Sequence, residues 1–159
     1  MIRVLFVCLG NICRSPTAQG VFRQRVQRAG LTEAIETDSA GTHGFHVGDP
    51  PDRRAQATSG ARGVDISDIR SRRFYPYDIG TFDYILAMDD ENLANLLGYA
   101  ADPSERDRIH RMLDFAAKTK EREVPDPYYG TTGGFEHVLD LIEDAADGLL
   151  RHVRQVHKL

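Results

Sequence analysis

Cysteine is scarce and tryptophan absent: the 159 residues hold two cysteines and no tryptophan. Cys8 and Cys13 lie in one short segment. A bridge there would close too small a loop to staple a domain, so a disulfide framework is excluded and reactivity is the better reading. Long hydrophobic runs are lacking too. No stretch approaches the ~20 apolar residues that a membrane-spanning helix needs. The apolar run at residues 2–7 leads straight into a Gly/Asn segment, too short and without the cleavage site expected of a signal peptide. A cytoplasmic protein with reduced thiols is expected, with signal-peptide-independent export left open. Excess positive charge is also missing. The net charge of −4 offers no broad basic face for a nucleic-acid backbone. The six histidines are scattered without ligand spacing, so neither metal nor cofactor is expected.

What remains is enough for one domain over residues 1–159, able to bury roughly 70% of its extended surface without a staple. Residues 2–7 predict a buried parallel strand. From Pro16, Ala18, Val21, Phe22, Val26 and Ala29 recur at helical spacing until Gly30. Further strands are predicted at Glu36–Ser39, Phe82–Met88 and Ile109–Leu113. Helices are predicted from Asp52 to about Arg62 and over Asp90–Leu97. A long amphipathic stripe from Phe135 to Val156 closes the pattern. Alternating strands and helices imply an α/β, doubly wound, flavodoxin-like sheet of four parallel strands with helices on both faces. Ligands in such sheets bind beyond the strand C-termini, where residues 8–15, 39–45 and 89–92 would meet.

The first of these segments carries the chemistry. Cys8-Leu9-Gly10-Asn11-Ile12-Cys13-Arg14-Ser15 sets an arginine six positions after a cysteine, between a strand and a helix. Gly10 and Asn11 tolerate the left-handed backbone that turns successive N–H groups into an anion-binding nest. The helix behind adds its positive N-terminus. Arg14 can hold two phosphate oxygens in a planar fork. A positive field of this kind favours a thiolate, and Ser15 is placed to donate to the sulfur. A nucleotide site is excluded, because the loop has neither a Gly-Lys-Ser/Thr ending nor a G-x-G-x-x-G pattern.

This loop resembles the phosphate loop of the low-molecular-weight protein-tyrosine phosphatases: Cys-x5-Arg-Ser within the first twenty residues, with a Gly-Asn pair and Ser15-Pro16. Asp38-Ser39-Ala40-Gly41-Thr42, Pro50-Pro51-Asp52, Phe82 to Leu93 and Asp126-Pro127-Tyr128-Tyr129-Gly130 are similar to further family segments, so the resemblance runs along the whole chain. It implies a metal-independent hydrolase acting on phosphotyrosine and small aryl phosphates through a phosphocysteine on Cys8. Arg14 is then the phosphate clamp and Asp126 the general acid. Asn11, Ser15 and Ser39 would support the loop, with Asp89 as a secondary structural candidate. Phe45, Tyr128 and Tyr129 would wall a slot for the phenyl ring. Ile12 stands where relatives acting on phosphoarginine tend to carry threonine.

Chemistry demands the acid independently, since an expelled tyrosine oxygen leaves poorly without a proton. Requiring thiolate and protonated Asp126 together, the mechanism implies an acidic, bell-shaped pH profile. Many relatives carry a histidine near Asp68, joined to the aspartate matching Asp89; two carboxylates here would repel or face apart. Cys13 beside Cys8 would permit a reversible, protective disulfide. The implied partners are tyrosine-phosphorylated proteins, met by a monomer or weak oligomer. A thiol-dependent arsenate reductase would need resolving cysteines outside the loop, and the chain has none. A non-catalytic phosphate-binding module would have no use for Asp126.

Overall fold

A computed structural model describes residues 1–128 and 132–159, with side chains from residue 134 in the second stretch. Four parallel strands lie in the order β2-β1-β3-β4: β1 (Ile2–Cys8), β2 (Ile35–Gly41), β3 (Tyr84–Ala87) and β4 (Ile109–Arg111). This is the doubly wound architecture expected. The helices are α1 (Arg14–Arg28), α2 (Arg53–Ala61), α3 (Asp78–Thr81), α4 (Asp90–Leu97), α5 (Pro103–Arg106) and α6 (Thr132–His157).

β1 is central and buried on both faces, so it reads as a continuous apolar run. Its alternate side chains serve two cores. Val4 and Phe6 point into one with Ala18, Val21 and Phe22 of α1 and Val138, Ile142 and Leu149 of α6. Leu5 and Val7 point into the other with Leu96 of α4, Ile79 of α3 and Ile85 of β3. The order reverses at β1, whose C-terminal end therefore opens a crevice beside β3, the usual ligand position in such sheets.

Element bounds differ from the expectations in instructive places. β2 pairs with β1 over its full length, from Ile2↔Ile35 to Cys8↔Gly41. β3 is shorter than expected because Phe82 closes α3, although Met88 N–H still donates to Val7 O at 3.2 Å. β4 stops at Arg111, and Met112–Phe115 form a 3-10 turn. The reason is burial: consecutive Met112 and Leu113 both enter the core, which a strand of period two cannot arrange. The carboxylate of Asp144 on α6 then accepts from the N–H groups of Ala117, Lys118 and Thr119. α6 comes so close here that a Cβ on Gly148 would overlap the Phe115 carbonyl oxygen.

The exposed edge of β2 is blunted. Ser39 N–H is taken by the Asp38 carboxylate at 2.8 Å, and Arg72 Nε donates to the same carboxylate at 3.0 Å. Beyond it Gly41 pairs with the 72–74 segment, donating to Arg72 O and accepting from Phe74 N. Such cover discourages strand addition.

Candidate active site

The loop between β1 and α1 is held from outside through its carbonyl groups. Cys8 O accepts from Thr42 N (2.9 Å), Leu9 O from His43 N (3.1 Å) and Ile12 O from Asp52 N (2.8 Å). Gly10 O accepts from Ser71 Oγ at 3.1 Å. With its carbonyls turned outward, the loop directs its N–H groups inward, and those of residues 9–13 find no protein acceptor among the described residues. Asn11 makes the turn possible at φ 56°, a left-handed conformation that asparagine tolerates. Gly41 lets β2 approach: a Cβ there would sit 2.9 Å from Leu9 O.

A chain of side-chain bonds fixes the sulfur. Asn11 Nδ2 donates to Ser15 Oγ (2.7 Å) and to Ser39 Oγ (2.9 Å), while its Oδ1 accepts from Arg72 N (3.0 Å). Ser39 Oγ in turn donates to Gln19 Oε1 at 2.6 Å. Ser15 Oγ lies 3.0 Å from Cys8 Sγ. Having accepted from Asn11, Ser15 has its own hydrogen left to donate to sulfur.

Arg14 is buried at 3% exposure. Its Nη1 donates to Asp89 Oδ2 (2.6 Å) and Val124 O (3.0 Å), and its Nη2 stands 3.7 Å from Asp126 Oδ2. Burial works against the guanidinium charge, but Cys8, Asp89 and Asp126 outweigh it and raise its pKa. Asp89 also caps α4, accepting from Asn92 N at 2.8 Å. Val124 N donates to Met88 O, which docks the acid-bearing segment beside β3. Asp126 Oδ1 accepts from Tyr128 N at 3.0 Å.

Cys8, Arg14 and Asp126 line one pocket, together with Leu9, Gly10, Ile12 and Cys13 of the loop. Tyr128 forms part of the wall. Phe45 is 87% exposed and rests on His43, with ring centroids 4.7 Å apart; His43, not Phe45, lines the pocket. Tyr129 lies outside the described residues. Asp68 and Asp89 have different partners: the Asp68 carboxylate takes a two-pronged bond from Arg23, at 2.9 Å on each oxygen.

Sequence reasoning missed several participants. His43 and His46 lean over Gly10 as part of the pocket rim, and no residue spacing marks a rim histidine in a loop. Gln19 holds Ser39, and Arg72 donates its backbone N–H to Asn11 Oδ1, from positions whose pattern predicts only helix face and surface. Asp52, the N-cap of α2, accepts from Arg54 N, Nε and Nη2. Partial burial pushes its carboxyl up, but the bonds from Arg54 prevail and hold it below the usual range.

The arrangement offers a sulfur at the floor of an anion cradle, a guanidinium at its side and a carboxyl group opposite, which is the equipment of a thiol-based phosphoryl transfer. Comparison with known proteins agrees. Residues 3–159 match the family model described as low molecular weight phosphotyrosine protein phosphatase. The chain is 41% identical over 159 residues to the low molecular weight protein-tyrosine-phosphatase YfkJ of Bacillus subtilis, covering all of both chains. It is 44% identical over 157 residues to the Streptomyces coelicolor low molecular weight protein-tyrosine-phosphatase, covering 96% of this chain and 94% of that one. The crystal structure of an Entamoeba histolytica protein tyrosine phosphatase with Hepes in its active site superposes with a TM-score of 0.93 at 42% identity, over the full length of both chains. Fold, site and these matches agree: the chain belongs to the low-molecular-weight phosphotyrosine protein phosphatase family.

Proposed function

We propose that this domain, residues 1–159, hydrolyses phosphotyrosine and small aryl phosphates with Cys8 as nucleophile, Arg14 as phosphate clamp and Asp126 as general acid and base. The observation that carries the assignment is the convergence of these three side chains on one pocket, with the inward N–H groups of residues 9–13 beneath it. The thiolate of Cys8 attacks phosphorus and the Sγ–P bond forms. The bond from phosphorus to the tyrosyl oxygen breaks, and Asp126 gives that oxygen its proton. Arg14 and the loop N–H groups hold the equatorial oxygens as charge spreads over them. In the second step Asp126 takes a proton from water, the new O–P bond forms, and phosphate leaves as the Cys8 thiolate is restored. Asn11, Ser15 and Ser39 keep the cradle in shape, and Asp89 holds Arg14 by its Nη1.

Tyr128 lines the pocket and supplies an aromatic wall suited to a phenyl ring. The reading extends to tyrosine-phosphorylated proteins as substrates, met by a monomer or weak oligomer in the cytoplasm, where two free thiols stay reduced. Hydrolysis of p-nitrophenyl phosphate from acid to neutral pH tests it. Wild type should show an acidic, bell-shaped kcat/KM, Cys8→Ser none, and Asp126→Ala a loss of about 10²–10⁴-fold. Phosphate binding without turnover in the wild type would instead make the protein a binding module.

A further inference from the structure

Beside the pocket, α2 begins with an ion pair that touches both halves of the site. Asp52 N–H donates to Ile12 O, inside the phosphate loop. The Asp52 carboxylate accepts from Arg54 Nε at 3.1 Å and Nη2 at 3.0 Å, a planar two-pronged pair. Arg54 Nη2 also donates to the backbone carbonyl of Tyr128 at 3.0 Å. The N–H of that same residue holds Asp126 Oδ1. The guanidinium lies 4.8 Å from the ring centroid of Phe135 on α6 and 5.7 Å from that of Tyr128.

We infer that Arg54 is a positioning residue for the acid step: it sets where Asp126 stands relative to the phosphate loop. The inference rests on Asp126 being the general acid. The path is continuous. Ile12 fixes Asp52, Asp52 fixes the plane of the Arg54 guanidinium, and Arg54 fixes the backbone that orients the Asp126 carboxyl. Lysine cannot reproduce this, because it lacks the planar fork and the flat face that stacks on Phe135. Arg54 therefore links the phosphate loop, through Asp52, to the acid segment. Misplacement of a reacting group by about 1 Å can cost about 10²-fold, so such a link bears directly on rate.

The test uses two substrates that differ in their need for a proton. Phenyl phosphate expels a poor leaving group, and 2,4-dinitrophenyl phosphate a good one that leaves unaided. Arg54→Met keeps the length of the stem and removes the fork. Its kcat/KM for phenyl phosphate should fall about 10- to 100-fold, that for dinitrophenyl phosphate and the inhibition constant of inorganic phosphate should stay within about 3-fold, and Arg54→Lys should fall between. Asp126→Asn should show the same leaving-group signature more strongly. If Asp126→Asn lost activity equally on both substrates, the acid assignment itself would fall, and the role of Arg54 with it. If Asp126→Asn discriminated while Arg54→Met weakened both substrates equally, weakened phosphate binding or changed nothing, the positioning role alone would be overturned. Should Arg54→Met not fold, Asp52→Asn keeps the helix cap and removes the charge pair. It is expected to show a smaller loss confined to phenyl phosphate, and an equal loss on both substrates would count against the inference.

Discussion

Ser15 Oγ stands 3.0 Å from Cys8 Sγ and accepts from Asn11 Nδ2, which leaves its own hydrogen available to a negatively charged sulfur. That bond serves whichever state carries negative charge on sulfur, and sulfur becomes the leaving group when the phosphocysteine breaks down. Ser15→Ala should slow this second step about 10- to 100-fold, the worth of one hydrogen bond to a charged group. Pre-steady-state release of p-nitrophenol checks it, with the burst growing relative to the steady rate. Unchanged steady turnover would mean that Ser15 only shapes the loop.

Cys13 shares the pocket wall with Cys8. Burial, followed by the neighbouring Asp52, Cys8 and Asp126, pushes its thiol pKa up, far beyond the neutral range. A raised thiol pKa means that the protonated, poorly nucleophilic form persists as pH rises. Limited iodoacetate treatment between pH 6 and pH 8, read by peptide mass spectrometry, should therefore label Cys8 first. Labelling of Cys13 before Cys8 would contradict this.

Asp144 pins the segment after the 3-10 turn to α6. Burial raises its pKa, but the three N–H bonds from residues 117–119 outweigh that and leave it lowered. A carboxyl depressed on folding contributes stability that is present above its unfolded pKa, ~3.9, and lost as pH falls through the folded value. Asp144→Asn should destabilise by up to about 1 kcal/mol at pH 7, because water screens this carboxylate, with the gap to wild type narrowing below about pH 4. Urea denaturation at pH 7 and pH 3 measures this, and an equal gap at both would show that charge is not the cause.

Gly148 is required by space. A Cβ there meets the Phe115 carbonyl carbon at 2.9 Å and its oxygen closer still. Gly148→Ala must part α6 from the turn, and a cost of about 3 kcal/mol or more is expected. Gly60→Ala is the control, with no atom within 4 Å of a Cβ there. Chemical denaturation should separate the two variants; equal stability would contradict the close approach.

The loop from Cys8 to Ser15 was legible because an anion cradle needs its residues at a fixed spacing, whereas Asp126 was found through the family resemblance of Asp126-Pro127-Tyr128, and it lines the same pocket. The sheet was legible because β1 and β3 are buried on both faces and read as apolar runs. α3 and α5 escaped because four residues carry no periodicity, although Asp102-Pro103 followed by Glu105 is a helix-start signal. Ile109–Leu113 looked like one strand because Ile109, Met112 and Leu113 around His110 and Arg111 do not show in sequence which side chains share a face. Asp68, expected to repel Asp89 or stand apart from it, is paired with Arg23, while Asp89 is paired with Arg14. Phe45 shows where aromatic chemistry misleads: a ring beside a pocket in sequence sits on its neighbour His43 and faces solvent.

The central claim is a covalent intermediate on Cys8. Wild type mixed with p-nitrophenyl phosphate at acidic pH and quenched in acid within milliseconds should carry one added phosphoryl group by intact mass, placed on Cys8 by peptide analysis. Cys8→Ser should carry none on this time scale. An unmodified Cys8 during confirmed turnover, or phosphate found on another residue, would contradict the account.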